Sequence, residues 1–201
     1  MHLSKRLQRV ADNVLSGGVV ADIGCDHGFT SIYLIRHKKV TKAIAMDINE
    51  GPLERAKEHM LSYGVEEHME LRLSDGLQML DADEADTLLI SGMGGALICQ
   101  ILEAKEEVTK SAKELVLSPQ SEIFLVRKCL HGMGFCIAHE EMLLDQGKYY
   151  VIIRAVKAKE KEKEQYQREE DYIYGHCLIE DKDPFFIGFL KKEEKMKRIL
   201  V

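Results

Sequence analysis

Residues able to do chemistry gather at four points in this chain, each at the end of an apolar run. The first is Asp22-Ile23-Gly24-Cys25-Asp26-His27-Gly28, directly after Val19-Val20-Ala21. The second is Asp47-Ile48-Asn49, which closes the run Ala43-Ile44-Ala45-Met46. In a nucleoside-binding βαβ unit, glycines after the first strand let the backbone approach a ligand. An acid about 20 residues further on accepts hydrogen bonds from ribose. Asp47 lies nineteen residues beyond Gly28, so the spacing fits. The loop is not Gly-x-Gly-x-x-Gly, because Asp26 holds the place of the middle glycine. A pyrophosphate would be repelled by Asp22 and Asp26, whereas the sulfonium and amino groups of S-adenosylmethionine are cationic. The pattern therefore points to a methyl-donor site. Asp22, Gly24, Cys25, Asp26, His27, Gly28, Asp47, Ile48 and Asn49 are expected cofactor contacts, with Asp26 and the loop backbone holding the methionine end and Asp47 the ribose.

The third point is Asp75-Gly76, where the carboxylate is expected to accept from an adenine amino group. The fourth is Ser91-Gly92-Met93-Gly94-Gly95, at the place where amino-methyltransferases often carry Asn/Asp-Pro-Pro-Tyr. That motif orients an amine with a side-chain amide and stacks the base on an aromatic ring. Here glycines bring backbone close to the methyl group and Met93 offers a soft apolar wall. Ser91, Gly92, Met93 and Gly94 are expected cofactor contacts, and Asp26, His27, Gly92 and Met93 the catalytic set. Such a wall suits an acceptor that already has a lone pair, as adenine N1 does. Rate would then rest on alignment and desolvation rather than on a general base. Two blander readings compete: the glycines serve helix–strand packing only, and Asp26 and His27 shape their loop rather than move a proton.

These four points need a scaffold, and the pattern supplies one. Leu3, Leu7, Val10 and Val14 follow helical spacing, ahead of Gly17-Gly18. Strands are expected at 19–23, 42–46, 69–73, 87–90 and 114–117. Helices are expected at 30–37, from Pro52 to Gly64, at 96–103 and at 123–133. Residues 135–144 and 148–156 read as two antiparallel strands around Asp145-Gln146-Gly147. Alternating strands and helices with a terminal hairpin describe an α/β, Rossmann-like domain whose sheet is mostly parallel, the class I methyltransferase layout. That domain spans 1–156. Residues 157–201 are heavily charged at first and are expected to form a helical, coiled-coil-like extension, two helices packed on each other outside the sheet.

Composition narrows the function classes. A chain of 201 residues with 45% hydrophobic content can bury one good core and a small appendage. No apolar run approaches the roughly 18 residues of a membrane helix, and the basic N-terminus lacks an apolar signal core, so a cytoplasmic protein is expected. Five cysteines form no Cys-x-x-Cys pair. They read as free thiols, and no metal site is expected. A monomer is expected. The net charge of −6 is uneven: residues 1–46 hold seven Lys/Arg against three Asp. Lys5, Arg6, Arg9, Arg36, Lys38 and Lys39 are the expected phosphate contacts of a nucleic-acid partner. The alternatives are a methyltransferase for a small molecule or protein, and a non-catalytic RNA-binding protein on a Rossmann-like domain.

The chain also resembles the bacterial tRNA (adenine-22-N1)-methyltransferases, the TrmK family. The likeness lies in Leu3-Ser4-Lys5-Arg6-Leu7, Val20-Ala21-Asp22-Ile23-Gly24 with Asp26-His27, Ala45-Met46-Asp47-Ile48-Asn49, Ser91-Gly92-Met93-Gly94-Gly95, and Gly134-Phe135 followed by Gly147-Lys148-Tyr149-Tyr150. It implies S-adenosylmethionine as cofactor, N1 of adenine 22 in tRNA as acceptor, and a helical extension that helps grip tRNA. The family loop usually reads Asp-His-Ala-Tyr-Leu-Pro, whereas this chain has Asp26-His27-Gly28-Phe29-Thr30-Ser31. The role of a tyrosine hydroxyl is therefore not carried over, although Phe29 can still stack on a base. The family's C-terminal helices usually run beyond the point matching Val201, and a shorter extension is expected to weaken tRNA binding.

Overall fold

The computed structural model describes residues 2–15, 17–159 and 166–199. Strands β1 (Val19–Ile23), β2 (Lys42–Asp47), β3 (Met69–Leu73), β4 (Thr87–Ser91), β5 (Glu114–Ser118), β6 (Phe135–Asp145) and β7 (Lys148–Lys157) form one sheet in the order β3-β2-β1-β4-β5-β7-β6. The first five are parallel, and β7 runs antiparallel to both β5 and β6. This is the mostly parallel sheet with an antiparallel terminal hairpin that the pattern predicts. The hairpin turn uses Gln146 and Gly147, both at positive φ (48° and 79°), as a tight two-residue connection demands.

Apolar side chains alternate cleanly between the two faces, because successive residues of a strand point opposite ways. Val20, Ala43, Ala45, Leu89, Val116 and Ile152 pack on one side with α1 (Lys5–Asp12), α2 (Phe29–Arg36) and α3 (Glu50–Tyr63). Ala21, Ile44, Met46, Leu88, Ile90, Leu115 and Ile153 pack on the other with α4 (Gly95–Ala104), α5 (Glu106–Ser111) and α6 (Ile123–Gly132). Both faces are thus covered, as parallel strands require. Helix α5 is absent from the sequence pattern. The chain bends at Lys105 between α4 and α5, and the Lys105 ammonium donates to the Leu80 carbonyl at 2.7 Å.

The strand order reverses between β1 and β4. Connections leaving those neighbours diverge, which opens a crevice at their carboxyl ends. All four chemically promising segments sit at that end of the sheet.

The described part of the C-terminal segment lies on the sheet domain. A π-helical turn, Asp171–Gly175, leads into α7 (His176–Glu180), and α8 (Pro184–Ile199) follows. Leu178 and Phe186 join the same core as Phe135, Ile137 and Met142. The expected pair of helices packed on each other away from the sheet is corrected here, because their apolar residues cover β6 and α6 instead. Residues 160–165 and 200–201, within the expected extension, lie outside the described residues. A buried ion pair fixes the docking. Arg127 on α6, 1% exposed, donates to Glu140 on β6 at 2.7 Å and to the carbonyls of Tyr172 and Ile173 at 2.8 and 3.0 Å. Gly175, at φ +98°, passes so close that a Cβ would stand 2.6 Å from Glu140 and 2.7 Å from Arg127.

Removing the cation would leave a buried carboxylate and three elements without their shared donor. Arg127→Ala should therefore lower unfolding free energy by about 3–5 kcal/mol in urea titration. A loss below about 1 kcal/mol, the range of an exposed ion pair, would contradict this role.

Candidate active site

A cleft of 410 Å³ opens at the crevice, within the size range of small-molecule sites (roughly 300–1,000 Å³). Its lining brings together Asp22, Gly24, Cys25, Asp26 and His27 from the β1 loop, Asp47 from β2, and Ser91, Gly92 and Met93 from the β4 loop. Arg6 and Leu7 from α1, Phe29 and Thr30 from α2, and Gln120 from the β5 loop complete it.

The floor is the β1 loop. Gly24 and Cys25 both donate to the Met46 carbonyl, at 2.8 and 2.9 Å, which ties the loop to β2. Gly24 has φ +71°, and the Met93 methyl fills the space a Cβ would need. Asp22 is only 4% exposed and accepts from the Ser31 hydroxyl at 2.7 Å. Burial pushes its carboxyl up to about 6, only partly offset by that hydrogen bond, with the nearby Asp47 charge adding to the rise. Burial, reinforced by the charges of Asp22, Asp47 and Asp26, also pushes the Cys25 thiol upward, so Cys25 is no thiolate nucleophile. Asp47 Oδ1 accepts from the Asn49 amide at 3.0 Å, and its other oxygen takes no hydrogen bond among the described residues.

Asp26, at φ +52°, projects into solvent. His27 Nε2 lies 3.6 Å from its carboxylate, and Arg55 donates to His27 Nδ1 at 3.2 Å. With Nδ1 accepting, the neutral ring carries its proton on Nε2 and has no lone pair left for a substrate. This geometry supports loop shaping rather than base catalysis. Phe29 stacks on His59, with centroids 4.3 Å apart, beside the same loop.

The far wall comes from two loops zipped together. Gly92 donates to the Ser118 carbonyl at 3.1 Å, Gln120 to Met93 at 2.9 Å, and Gly95 to Ser121 at 3.0 Å. A Cβ at Gly95 would stand 2.6 Å from the carbonyl oxygens of both Ser121 and Glu122, so only glycine permits this approach. Arg6 reaches across from α1, donating to the Ser91 hydroxyl at 2.6 Å with its guanidinium over Tyr150.

Some residues singled out in the sequence stand elsewhere. Gly28 packs against α3, where a Cβ would meet Met69 at 2.8 Å and Ala56 at 3.1 Å. Gly76 backs onto Ile101 and Gly94 onto Ser121. Ile48, Asn49 and Asp75 lie outside the cleft lining. Among the basic residues, Lys5 donates to the Leu144 carbonyl, Arg9 pairs with Glu141 and Asp12, and Lys39 pairs with Asp12. These three stitch α1 to its neighbours, Lys5 and Arg9 while still exposed, and Arg36 and Lys38 are exposed as well. Leu7, Phe29, Thr30 and Gln120 line the cleft although the sequence pattern marks none of them as a cofactor or catalytic residue. Leu7 lies on the apolar helical stripe and Phe29 and Thr30 adjoin the His27-Gly28 motif, whereas nothing in the sequence marks Gln120.

A parallel sheet of this order, with its cleft at the β1–β4 reversal and an acid closing β2, defines a class I methyltransferase fold. The methyltransferase-domain family matches residues 3–153 of the chain. The tRNA (adenine(22)-N(1))-methyltransferase of Bacillus subtilis is 37% identical over 155 residues, covering 77% of this chain and 65% of its own length. The crystal structure of the B. subtilis M1A22 tRNA methyltransferase TrmK superimposes with a TM-score of 0.89 at 31% identity, covering 99% of this chain and 86% of that one. Streptococcus pneumoniae Sp1610, solved in complex with S-adenosyl-L-methionine, gives a TM-score of 0.91 at 29% identity, covering 100% and 92%. The chain belongs to the tRNA (adenine-22-N1)-methyltransferase family, TrmK.

The state of Asp22 has a measurable consequence. Its folded carboxyl holds a proton more tightly than the unfolded one, so the folded state binds more protons between about pH 4 and 6. Stability present below that window is lost as pH rises through it. Relative to Asp22→Asn, the wild type should lose on the order of 3 kcal/mol of unfolding free energy between pH 4 and 7. Parallel curves for the two proteins would contradict the buried, protonatable Asp22.

Proposed function

We propose that this protein transfers the methyl group of S-adenosylmethionine to N1 of an adenine in tRNA, adenine 22 by family membership. The observation that carries the reading is the pairing of an anionic floor with an acceptor wall that offers no ionisable side chain from the β4 loop. Asp22, Asp26 and Asp47 line the floor, and Ser91, Gly92 and Met93 with Gln120 line the wall.

The residues fit the cofactor. Asp47 has a free carboxylate oxygen for ribose, Gly24 presents backbone without a side chain, and Asp22 carries latent negative charge for the methionine end. S-adenosylmethionine supplies, when bound, a methyl group activated by a sulfonium. The wall holds the base edge-on and excludes water, and no residue needs to remove a proton, because adenine N1 is unprotonated at neutral pH. Methylation leaves the base cationic, and Asp22 and Asp26 supply compensating charge. The target base must leave its stack to enter the cleft. The exposed Arg36 and Lys38 are proposed as contacts to tRNA phosphates, so affinity should fall steeply with salt.

Transfer of labelled methyl to an unmodified tRNA transcript, with nucleoside identification by mass spectrometry, tests the reading. The expected product is 1-methyladenosine, absent when position 22 is guanine. Methylation of a different nucleoside, or none with cofactor still bound, would refute it. Cofactor affinity should also rise between pH 5 and 7 as Asp22 loses its proton, since a cationic ligand favours the carboxylate. Asp22→Asn should flatten that rise, and an unchanged profile would remove Asp22 from the site. Asp47→Ala should lower affinity by about 100-fold, corresponding to about 2.7 kcal/mol for a ribose held by a charged acceptor.

A further inference from the structure

The geometry points to Gln120 as the residue that selects adenine, by reading the N6 and N7 edge of the base while N1 is left for the methyl group. The inference rests on the proposed reaction and extends it to the source of base specificity. If N1 faces the methyl donor, protein groups cannot occupy it. What separates adenine from guanine on the remaining accessible edge is the pair N6–H2, a donor, and N7, an acceptor; guanine presents two acceptors there. Reading that pair needs one acceptor and one donor held side by side. A primary amide is the side chain that carries both, which is why Asn and Gln bind adenine in this bidentate way.

Among the described residues, Gln120 is the only primary amide lining the cleft. The other polar groups at the acceptor end are unsuited. Arg6 only donates, the Ser91 hydroxyl already accepts from Arg6, and the carboxylates only accept. His27 has its Nδ1 engaged by Arg55. The Gln120 backbone is fixed by its hydrogen bond to Met93 at 2.9 Å, and its Nε2 lies 3.7 Å from where a Cβ on Gly92 would stand. The amide therefore runs along the glycine wall, and it makes no side-chain hydrogen bond among the described residues. An exposed amide held by its backbone yet unpartnered is available to a ligand without first breaking a contact.

A substrate lacking only N7 tests this. tRNA assembled with either adenine or 7-deazaadenine at position 22 is methylated by wild type, Gln120→Ala and Gln120→Glu, and kcat/KM is compared. Wild type should prefer adenine by about tenfold, the worth of one hydrogen bond. Gln120→Ala should fall by about tenfold or more on adenine and lose the preference, thereby reporting any intrinsic difference between the bases. Gln120→Glu, which still accepts from N6 but repels N7, should invert the preference towards 7-deazaadenine. A structural role for Gln120 would lower all rates without changing these ratios. Equal use of both substrates by wild type, or a preference retained in Gln120→Ala, would overturn the assignment. Failure of wild type to form 1-methyladenosine on ordinary tRNA would instead overturn the underlying reaction, and Gln120's role with it.

Discussion

The close approach of the β1 loop to the β4 loop at the point where strand order reverses is the constraint on which the site depends. Met93 fills the space beside Gly24, and Gly95 lets the β4 loop lie against the backbone of residues 121 and 122. A side chain at Gly95 would meet backbone and force the β4 loop off residues 121 and 122, whereas one at Gly24 would displace the Met93 methyl and strain a backbone at φ +71°. The cleft would then lose either its floor or its wall. Because α4 begins at Gly95 and α6 at Ile123, the approach of the β4 loop to residues 121 and 122 sets where both helices start. Arg127 lies on α6, so the lock on the C-terminal segment and the wall of the cleft share one rigid element.

Helix α1 supplies the third side. Its cations would be read from sequence as a phosphate-binding stripe, but the structure shows most of them making internal contacts. Arg9 and Asn13 converge on Glu141, Lys5 reaches the Leu144 carbonyl, and the Arg6 backbone donates to Asp145 at 3.1 Å. These bonds hold α1 on the β6–β7 hairpin and deliver the Arg6 guanidinium to the mouth of the cleft. Charge at a helix surface says little about which partner it meets. That is decided by the neighbour the helix packs on.

The fold was legible because its signals are local. Continuous apolar runs mark β1, β2, β4 and β5, and strand-end acids follow them directly, so Asp22 and Asp47 stand out from sequence alone. The cleft's far wall was not legible, because Gln120 meets Met93 only through the pairing of β4 with β5. Nothing near Ser118-Pro119-Gln120 in the sequence announces that contact. Gly28 shows the converse, since its place in a ligand-binding fingerprint hides a packing role against Ala56 and Met69. Arg127, likewise, resembles any helical cation until Glu140 and the carbonyls of residues 172–174 are seen around it.

In the proposed complex, the crevice between β1 and β4 holds the methyl donor with its reactive end against the Met93 and Gln120 wall. A crystal structure of the protein with S-adenosylhomocysteine tests it most directly. The expected structure has the ribose hydroxyls on the Asp47 carboxylate and the sulfur between Gly24 and Gly92, with the wall still zipped to Ser118. A ligand seated elsewhere, or a sulfur turned away from Gly92 and Met93, would contradict it.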